Sequence, residues 1–345
     1  MGLRDEIFEQ PEVSERLLRD GRDQIEGIAR KIKEQGIKYI FLTARGTSDN
    51  AGLYAKYLLG IQNGMIVAQA APSIFGIYKK SVNLTGSMVM GISQSGMSPD
   101  IVGVMDAGRE QGVMTLAITN APDSPLAHAS DEVIDIHAGK EKAVAATKSY
   151  TAQLLSIAML STALAGDDQR WDELQYLPGY MSEVLALENL ISQAVMRYFY
   201  METCVVLGRG YNYATTFEWA LKLKELTYTS AEPYSSADFM HGPIAVVDRQ
   251  FPVMVIMPGG EVYPEMVSVV ERLKNEKQAS LLILSNQKEA ESWADVFLKL
   301  PEGMPEWISP MVSILAAQLF CYHLTEIRKI DTESPRGLTK VTKTM

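Results

Sequence analysis

One order of residues occurs twice in this chain. Ile40-Phe41-Leu42-Thr43-Ala44-Arg45-Gly46 is a short apolar run that ends in a polar, glycine-bearing turn before a helix pattern, and Cys204-Val205-Val206-Leu207-Gly208-Arg209-Gly210 repeats it. The later apolar runs answer one another in the same way: 88–92 with 252–257, 116–118 with 281–284, and 133–136 with 296–300. Such a recurrence means one supersecondary unit used twice. Short apolar runs alternating with helix-period segments build a parallel sheet covered on both faces. The expected fold class is therefore α/β, two tandem lobes, each a mostly parallel sheet flanked by helices on both faces. The expected boundaries are a charged helical segment at 1–35, a first lobe at 36–166, a helical connector at 167–200 broken at Pro178-Gly179, a second lobe at 201–330 and a tail at 331–345.

A chain of 345 residues with 47% hydrophobic content can bury the cores of two such lobes. Its net charge of -10 speaks against nucleic acid or an anionic membrane surface as partner. No apolar run approaches the roughly 20 residues needed to cross a bilayer, and the start, Met-Gly-Leu-Arg-Asp-Glu, has no signal-peptide core. The expectation is a cytoplasmic protein. Cys204 and Cys321 lie in apolar runs, without disulfide or metal-ligand spacing, and read as buried, reduced thiols. The four histidines are scattered, so neither a metal nor another cofactor is expected.

The stretch 89–100 reads Val-Met-Gly-Ile-Ser-Gln-Ser-Gly-Met-Ser-Pro-Asp. Its apolar start is a strand, and a helix opens at Ser98, with Pro99 suited to the first helical position and Asp100 to the first turn. Ser93, Ser95 and Ser98 thus gather where unpaired helix amides and the positive end of the helix dipole point outward. That combination suits an anion, phosphate above all. Plain turn chemistry is the other use of such a serine-glycine stretch. The corresponding turn of the second lobe, Pro258-Gly259-Gly260-Glu261, lacks the serines, so the anion site is expected in the first lobe alone.

The helix opening near Thr215 carries something else. At about 100° per residue, Glu218, Lys222 and Glu225 fall within an arc of roughly 60°, while Phe217, Trp219, Ala220, Leu221, Leu223 and Leu226 fill most of the remainder. A surface ion pair at helical spacing is one reading. Because a helix so apolar is largely buried, a charged stripe on it needs a reason, and a carboxylate beside an ammonium in a cleft can move protons. His241, in Phe239-Met240-His241-Gly242-Pro243, lies in a loop shaped by glycine and proline, where functional residues collect. His323, among Leu319, Phe320, Tyr322 and Leu324, reads as a packed helix residue.

These motifs resemble a known family. Arg-Gly-Thr-Ser at 45–48, Ser-Gln-Ser-Gly at 93–96, Leu-Gly-Arg-Gly followed by Ala-Leu-Lys-Leu-Lys-Glu across 207–225, His-Gly-Pro at 241–243 and the Arg-Gly-Leu-Thr-Lys tail at 336–340 are similar to those of the double sugar-isomerase (SIS) family, over nearly the whole chain. The resemblance implies that Thr47, Ser48, Ser93, Gln94, Ser95 and Ser98 hold a sugar phosphate and that Glu225 shuttles a proton between C1 and C2. It implies further that Lys222 supports Glu225, His241 assists ring opening, and Val144 and Lys340 line the sugar. It also implies a homodimer in which the His241 loop reaches a neighbouring subunit's site.

Two groups resemble the chain most. One is the isomerase half of the glucosamine-6-phosphate synthases, which carry a glutaminase domain ahead of it; here the chain starts about 35 residues before the first strand, so ammonia from glutamine is not expected. Met97 and Met240 also stand where that group has charged residues. The other is the stand-alone SIS-type glucosamine-6-phosphate deaminases, which share Ser-Gln-Ser-Gly-x-Ser-Pro-Asp at 93–100, Glu-Lys-Ala-Val-Ala-Ala-Thr-Lys-Ser-Tyr at 141–150 and Lys-Val-Thr-x-Thr at 340–344. The expected activity is that deaminase. A fructosamine-6-phosphate deglycase and a non-catalytic sugar-phosphate sensor are the alternatives.

Overall fold

A computed structural model describes residues 2–340. The strands are β1 (Tyr39–Thr43), β2 (Ile66–Gln69), β3 (Ser87–Ser93), β4 (Thr115–Thr119), β5 (Glu132–Asp135), β6 (Thr203–Gly208), β7 (Ser230–Ser235), β8 (Pro252–Ile256), β9 (Ser280–Ser285) and β10 (Val296–Lys299). They form two five-stranded parallel sheets, ordered β2-β1-β3-β4-β5 and β7-β6-β8-β9-β10. Strand for strand the two orders are the same, so the duplicated pattern in the sequence is a duplicated topology.

Each lobe gains an edge strand that the apolar runs did not reveal. β2 is only Ile-Val-Ala-Gln, and β7, Ser-Ala-Glu-Pro-Tyr-Ser, carries a proline that reads as a strand breaker. Both lie at the edge of their sheet, where one side of the strand needs no ladder partners and proline is tolerated. The segment expected to be helical at 1–35 is three helices, Leu3–Phe8, Gln10–Asp20 and Arg22–Glu34, the last two meeting at Gly21. The connector does not break at Pro178-Gly179. It is interrupted at Tyr176, and Pro178 lies in the first turn of the Leu177–Leu185 helix, where its missing N–H costs nothing.

The chain divides into two compact units. One comprises Glu9–Glu141, Ala146–Tyr176 and the tail from Thr339; the other comprises the N-terminal segment ending at Phe8, Lys142–Ala145 and Leu177–Leu338. In the first, Val89, Ile101, Val104, Met105, Ala117 and Leu126 pack between sheet and helices, and the Lys148–Ala165 helix is buried along almost its whole length. In the second, Val205, Val253, Leu281 and Ile283 of the sheet pack against Met266, Val270 and Leu273 of the Tyr263–Asn275 helix. Each such side chain contributes about 1.5–3 kcal/mol on burial.

The topology fixes where a ligand belongs. β1 and β3 are neighbours, but the chain leaves them toward opposite edges of the sheet. Their carboxyl ends therefore flank a crevice, the usual binding place of an open parallel sheet.

Candidate active site

In the first lobe the turns that follow β1 and β3 both open on that crevice. Gly96 has φ +62°, and a Cβ there would lie 2.0 Å from Ser124 Oγ, so the Ser93–Ser95 turn requires glycine at this point. Ser93 Oγ accepts the Gly96 N–H at 3.1 Å and Ser95 Oγ accepts the Met97 N–H at 3.4 Å. Each hydroxyl keeps its proton to donate. Gln94 is held through its backbone carbonyl, which accepts the Asn120 N–H at 3.2 Å. Ser98 occupies the expected N-cap position of the Pro99–Glu110 helix with extended backbone, yet its hydroxyl makes no capping bond.

The turn after β1 brings Thr47 and Ser48 to the start of the Thr47–Asn63 helix. Ser48 is buried, and its Oγ accepts from Gln153 Nε2 at 3.0 Å. Arg45 links the two turns: its Nε donates to Asp100 Oδ2 at 2.8 Å, with the Asp100 side chain fully buried and Arg45 about half exposed. Thr47, Ser48, Ser93, Gln94, Ser95 and Ser98 are thus brought to the ends of two adjacent strands, with a guanidinium between the turns.

The same unit holds a second polar centre. Glu141, whose side chain is entirely buried, accepts the N–H groups of Thr147 at 3.0 Å and Ser149 at 3.1 Å, the Ser149 hydroxyl at 2.8 Å, and the ammonium of Lys340 at 2.7 Å. Burial pushes its carboxyl up, but the Lys340 charge and these hydrogen bonds outweigh that and hold it below the ordinary carboxylate range. The Val-Thr-x-Thr part of the expected tail motif, 341–344, lies outside the described residues.

In the second unit the charged stripe is buried. The Tyr213–Thr227 helix follows β6, its start fixed by Asn212, which donates to Ser309 Oγ at 2.7 Å and accepts from Thr215 Oγ1 at 3.0 Å. Lys222, about 1% exposed, lies 3.4 Å from Glu218 Oε1 and donates to Glu225 Oε2. Glu218 is fully buried, whereas Glu225 keeps about a quarter of its side chain exposed. Burial would lower the Lys222 ammonium, but the two carboxylates hold it above its ordinary value. The stripe is a chain of charges with one carboxylate reaching solvent.

His241 closes the Ser236–Met240 helix and is exposed, followed by Gly242 at φ +139°. Met240 packs on the core of this lobe with Tyr234, an apolar role a lysine would not fill as well. Met97 is 42% exposed on the serine turn. Val144 is half-buried, next to Lys142 and Ala143, whose N–H groups donate to the buried carboxylate of Glu6. His323 is a packed helix residue, 3.1 Å from Glu188.

The second lobe's counterpart of the serine turn is filled from within. Gly259 N–H donates to Asn286 Oδ1 at 2.7 Å and Glu261 N–H to Glu306 Oε2 at 2.8 Å. A Cβ on Gly260 would meet that same Glu306 oxygen at 2.2 Å. The Asn286 side-chain oxygen and the Glu306 carboxylate thus take the amides of this turn.

Arg45, Gln153 and Glu141 were not singled out from the sequence. The partners of Arg45 and Gln153 are 55 and 105 residues away, and the Lys340 that meets Glu141 is 199 residues beyond it, so no local pattern signals these contacts.

Among the described residues no helix is long and apolar enough to cross a membrane. The SIS domain family matches residues 35–163 and 201–328. Glutamine–fructose-6-phosphate aminotransferase [isomerizing] of Bacteroides thetaiotaomicron is 33% identical over 97% of this chain, and its namesake in Thermococcus kodakarensis is 33% identical, again over 97%. The chain spans 57% and 56% of the length of those two relatives. The C-terminal domain of glucosamine-fructose-6-phosphate aminotransferase from Francisella tularensis superposes with a TM-score of 0.87 at 30% identity, covering 96% of this chain and 98% of that one. Two copies of one parallel-sheet lobe, each matched separately, make this chain a double-SIS protein, a member of the SIS domain family.

Proposed function

We propose that this chain is a phosphosugar enzyme that converts glucosamine 6-phosphate to fructose 6-phosphate and ammonia. The observation that carries the reading is Glu225: a partly exposed carboxylate whose neighbour Lys222 is buried and itself paired with Glu218. Such a carboxylate is oriented by its neighbour and has a free edge with which to accept a proton. The relatives support the sugar class, since the names they carry join fructose 6-phosphate with isomerisation.

In this reading the phosphate is held by Ser93, Gln94, Ser95, Ser98, Thr47, Ser48 and the amides of the serine turn, with Val144 and Lys340 lining the sugar. His241 passes the ring proton that opens the sugar to its aldehyde. Glu225 takes the C2 proton and returns one at C1, which moves the double bond and turns the amino-aldose into a ketose imine through an enolamine. Water adds to the imine carbon and ammonia leaves. One carboxylate serves both carbons because they lie on the same face of a planar intermediate. Lys222 keeps Glu225 in place, and Lys340 assists at the sugar. We also propose a homodimer in which the exposed His241 loop serves a neighbouring subunit.

The test is ammonia release from the purified protein with glucosamine 6-phosphate, galactosamine 6-phosphate and a fructosamine 6-phosphate in parallel. Ammonia together with fructose 6-phosphate from the first supports the reading. Release of an amino acid from the third alone moves the assignment to a deglycase, and saturable binding without turnover of any moves it to a sensor.

A further inference from the structure

Glu141 is a buried charge that the proposed reaction does not use. A carboxylate has about four lone-pair positions, and in Glu141 they are met by Thr147 N–H, Ser149 N–H, Ser149 O–H and Lys340 Nζ. The first three donors belong to the start of the Lys148–Ala165 helix and to Thr147 just before it, so they come with the fold of the lobe. The fourth is different in kind. It arrives from the tail, 199 residues further along the chain, with its side chain still 25% exposed.

Three donors from one helix start already favour the ionised carboxylate, helped by the positive end of the helix dipole. The anion is therefore held by donors of the lobe itself, with one position left for a cation. No folding need of the lobe explains why that position is filled by residue 340. A lysine ammonium with three rotatable donors, on a flexible stem, is set by whatever anion receives it.

We propose that Glu141 is a positioning residue: it receives the Lys340 ammonium and thereby seats the C-terminal tail on the first lobe. The consequence for chemistry rests on the reading above, in which Lys340 assists at the sugar. Glu141 then keeps that lysine oriented and in one place, and its loss mimics the loss of Lys340 without removing the lysine itself.

The sequence supplies a direct probe, because trypsin cuts after Lys340 only when that side chain is free to enter the protease. In Glu141→Gln, cleavage after Lys340 should be about 10- to 100-fold faster than in the natural chain, as expected when a charge-assisted bond no longer holds the lysine. Cleavage after Lys329 is the internal reference and should not change. Should Glu141→Gln fail to fold, Glu141→Asp, which keeps the charge but shortens its reach, should show a smaller acceleration at the same bond.

Turnover gives the second readout. Glu141→Gln should lower kcat while leaving KM nearly unchanged, and Glu141→Gln combined with Lys340→Met should be no slower than Lys340→Met alone. Lys340→Arg, which retains a cation for Glu141, should hold the tail as the natural chain does. An unchanged cleavage rate at Lys340 in both Glu141 variants overturns the proposal whatever the chain catalyses. Faster cleavage in a protein whose natural form releases no ammonia leaves the seat standing and removes the reaction.

Discussion

Arg45 Nε donates to Asp100 Oδ2 at 2.8 Å, and that one contact ties the turn after β1 to the first turn of the helix after β3. The two strands are neighbours only because the sheet order reverses between them. The guanidinium thus spans the switch point, and Asp100, buried at the foot of the helix, is the anion that holds it there.

Arg45→Met should therefore act on phosphate affinity more than on chemistry. Removing a hydrogen-bonded cation from a buried carboxylate costs about 1.5–3 kcal/mol, and the serine turn loses its tie to the Thr47–Asn63 helix. The expected outcome is a KM for the sugar phosphate raised roughly 10-fold with kcat within about threefold of the natural chain. Steady-state kinetics decide it; an unchanged KM removes Arg45 from the phosphate turn.

Gly96→Ala tests the turn itself. At φ +62° an alanine is strained, and its Cβ would lie 2.0 Å from Ser124 Oγ. Either the turn or the 124–126 segment must move, at a cost of about 1–3 kcal/mol. Sugar-phosphate binding, followed by calorimetry, should be lost in this variant while its circular dichroism stays that of the natural chain.

How far the sequence carried can be judged from these same residues. The serine turn was legible because strand, polar turn and proline-led helix are contiguous, and every residue that defines it lies within 93–100. The charged stripe was legible because helical spacing alone puts Glu218, Lys222 and Glu225 on one face. Arg45 lies inside a recognised motif, but its partner comes after two further strands, β2 and β3, and their meeting is a fact of topology and not of pattern. Glu141 likewise opens the 141–150 motif, but its role did not show there, since the Lys340 ammonium comes from a tail at the far end of the chain. β7 was missed for a different reason: Pro233 removes the apolar alternation that marks a strand, and only the edge position makes it permissible.

Glu225→Gln separates binding from proton transfer. The amide keeps the size of the side chain and can still contact Lys222, but it cannot take a proton from C2. Turnover should fall by something like 10²-fold or more, with substrate binding nearly intact. Solvent-deuterium incorporation at C1 of the product, measured by NMR, should vanish in step with turnover. Activity retained within threefold of the natural chain would sink the assignment.

The two cysteines offer a test of the fold that needs no substrate. Cys204 and Cys321 are both buried and unpaired, and burial pushes the Cys204 thiol up to about 12 and the Cys321 thiol well above its ordinary value. Neither forms thiolate at pH 8. Iodoacetamide should label neither in the native protein and both in urea, as read by intact mass; rapid native labelling would mean that the second lobe, which holds both, opens.

Lys222 and Glu141 should leave opposite marks on stability against pH. The Glu141 carboxyl is held below its ordinary value, so its contribution is complete above the ordinary carboxylate range and is lost as pH falls through the lowered value. The difference in stability between the natural chain and Glu141→Gln should accordingly stay constant from pH 8 to pH 6 and shrink under stronger acid. Lys222 is held above its ordinary value, so its contribution is complete at neutral pH and is lost only as pH rises through that raised value. Lys222→Met removes the ammonium between two carboxylates, and breaking a buried pair in this way costs about 3–5 kcal/mol. Glu218, fully buried, then loses its ammonium neighbour, and its carboxyl should rise toward neutrality. A folded state that binds a proton more tightly than the unfolded chain gains stability as pH falls, so Lys222→Met should recover part of its deficit between pH 8 and pH 5. Urea unfolding across that range reads the slope directly. A deficit that does not vary with pH would mean that losing Lys222 does not move the Glu218 carboxyl, and the charge chain behind Glu225 would then be a single pair.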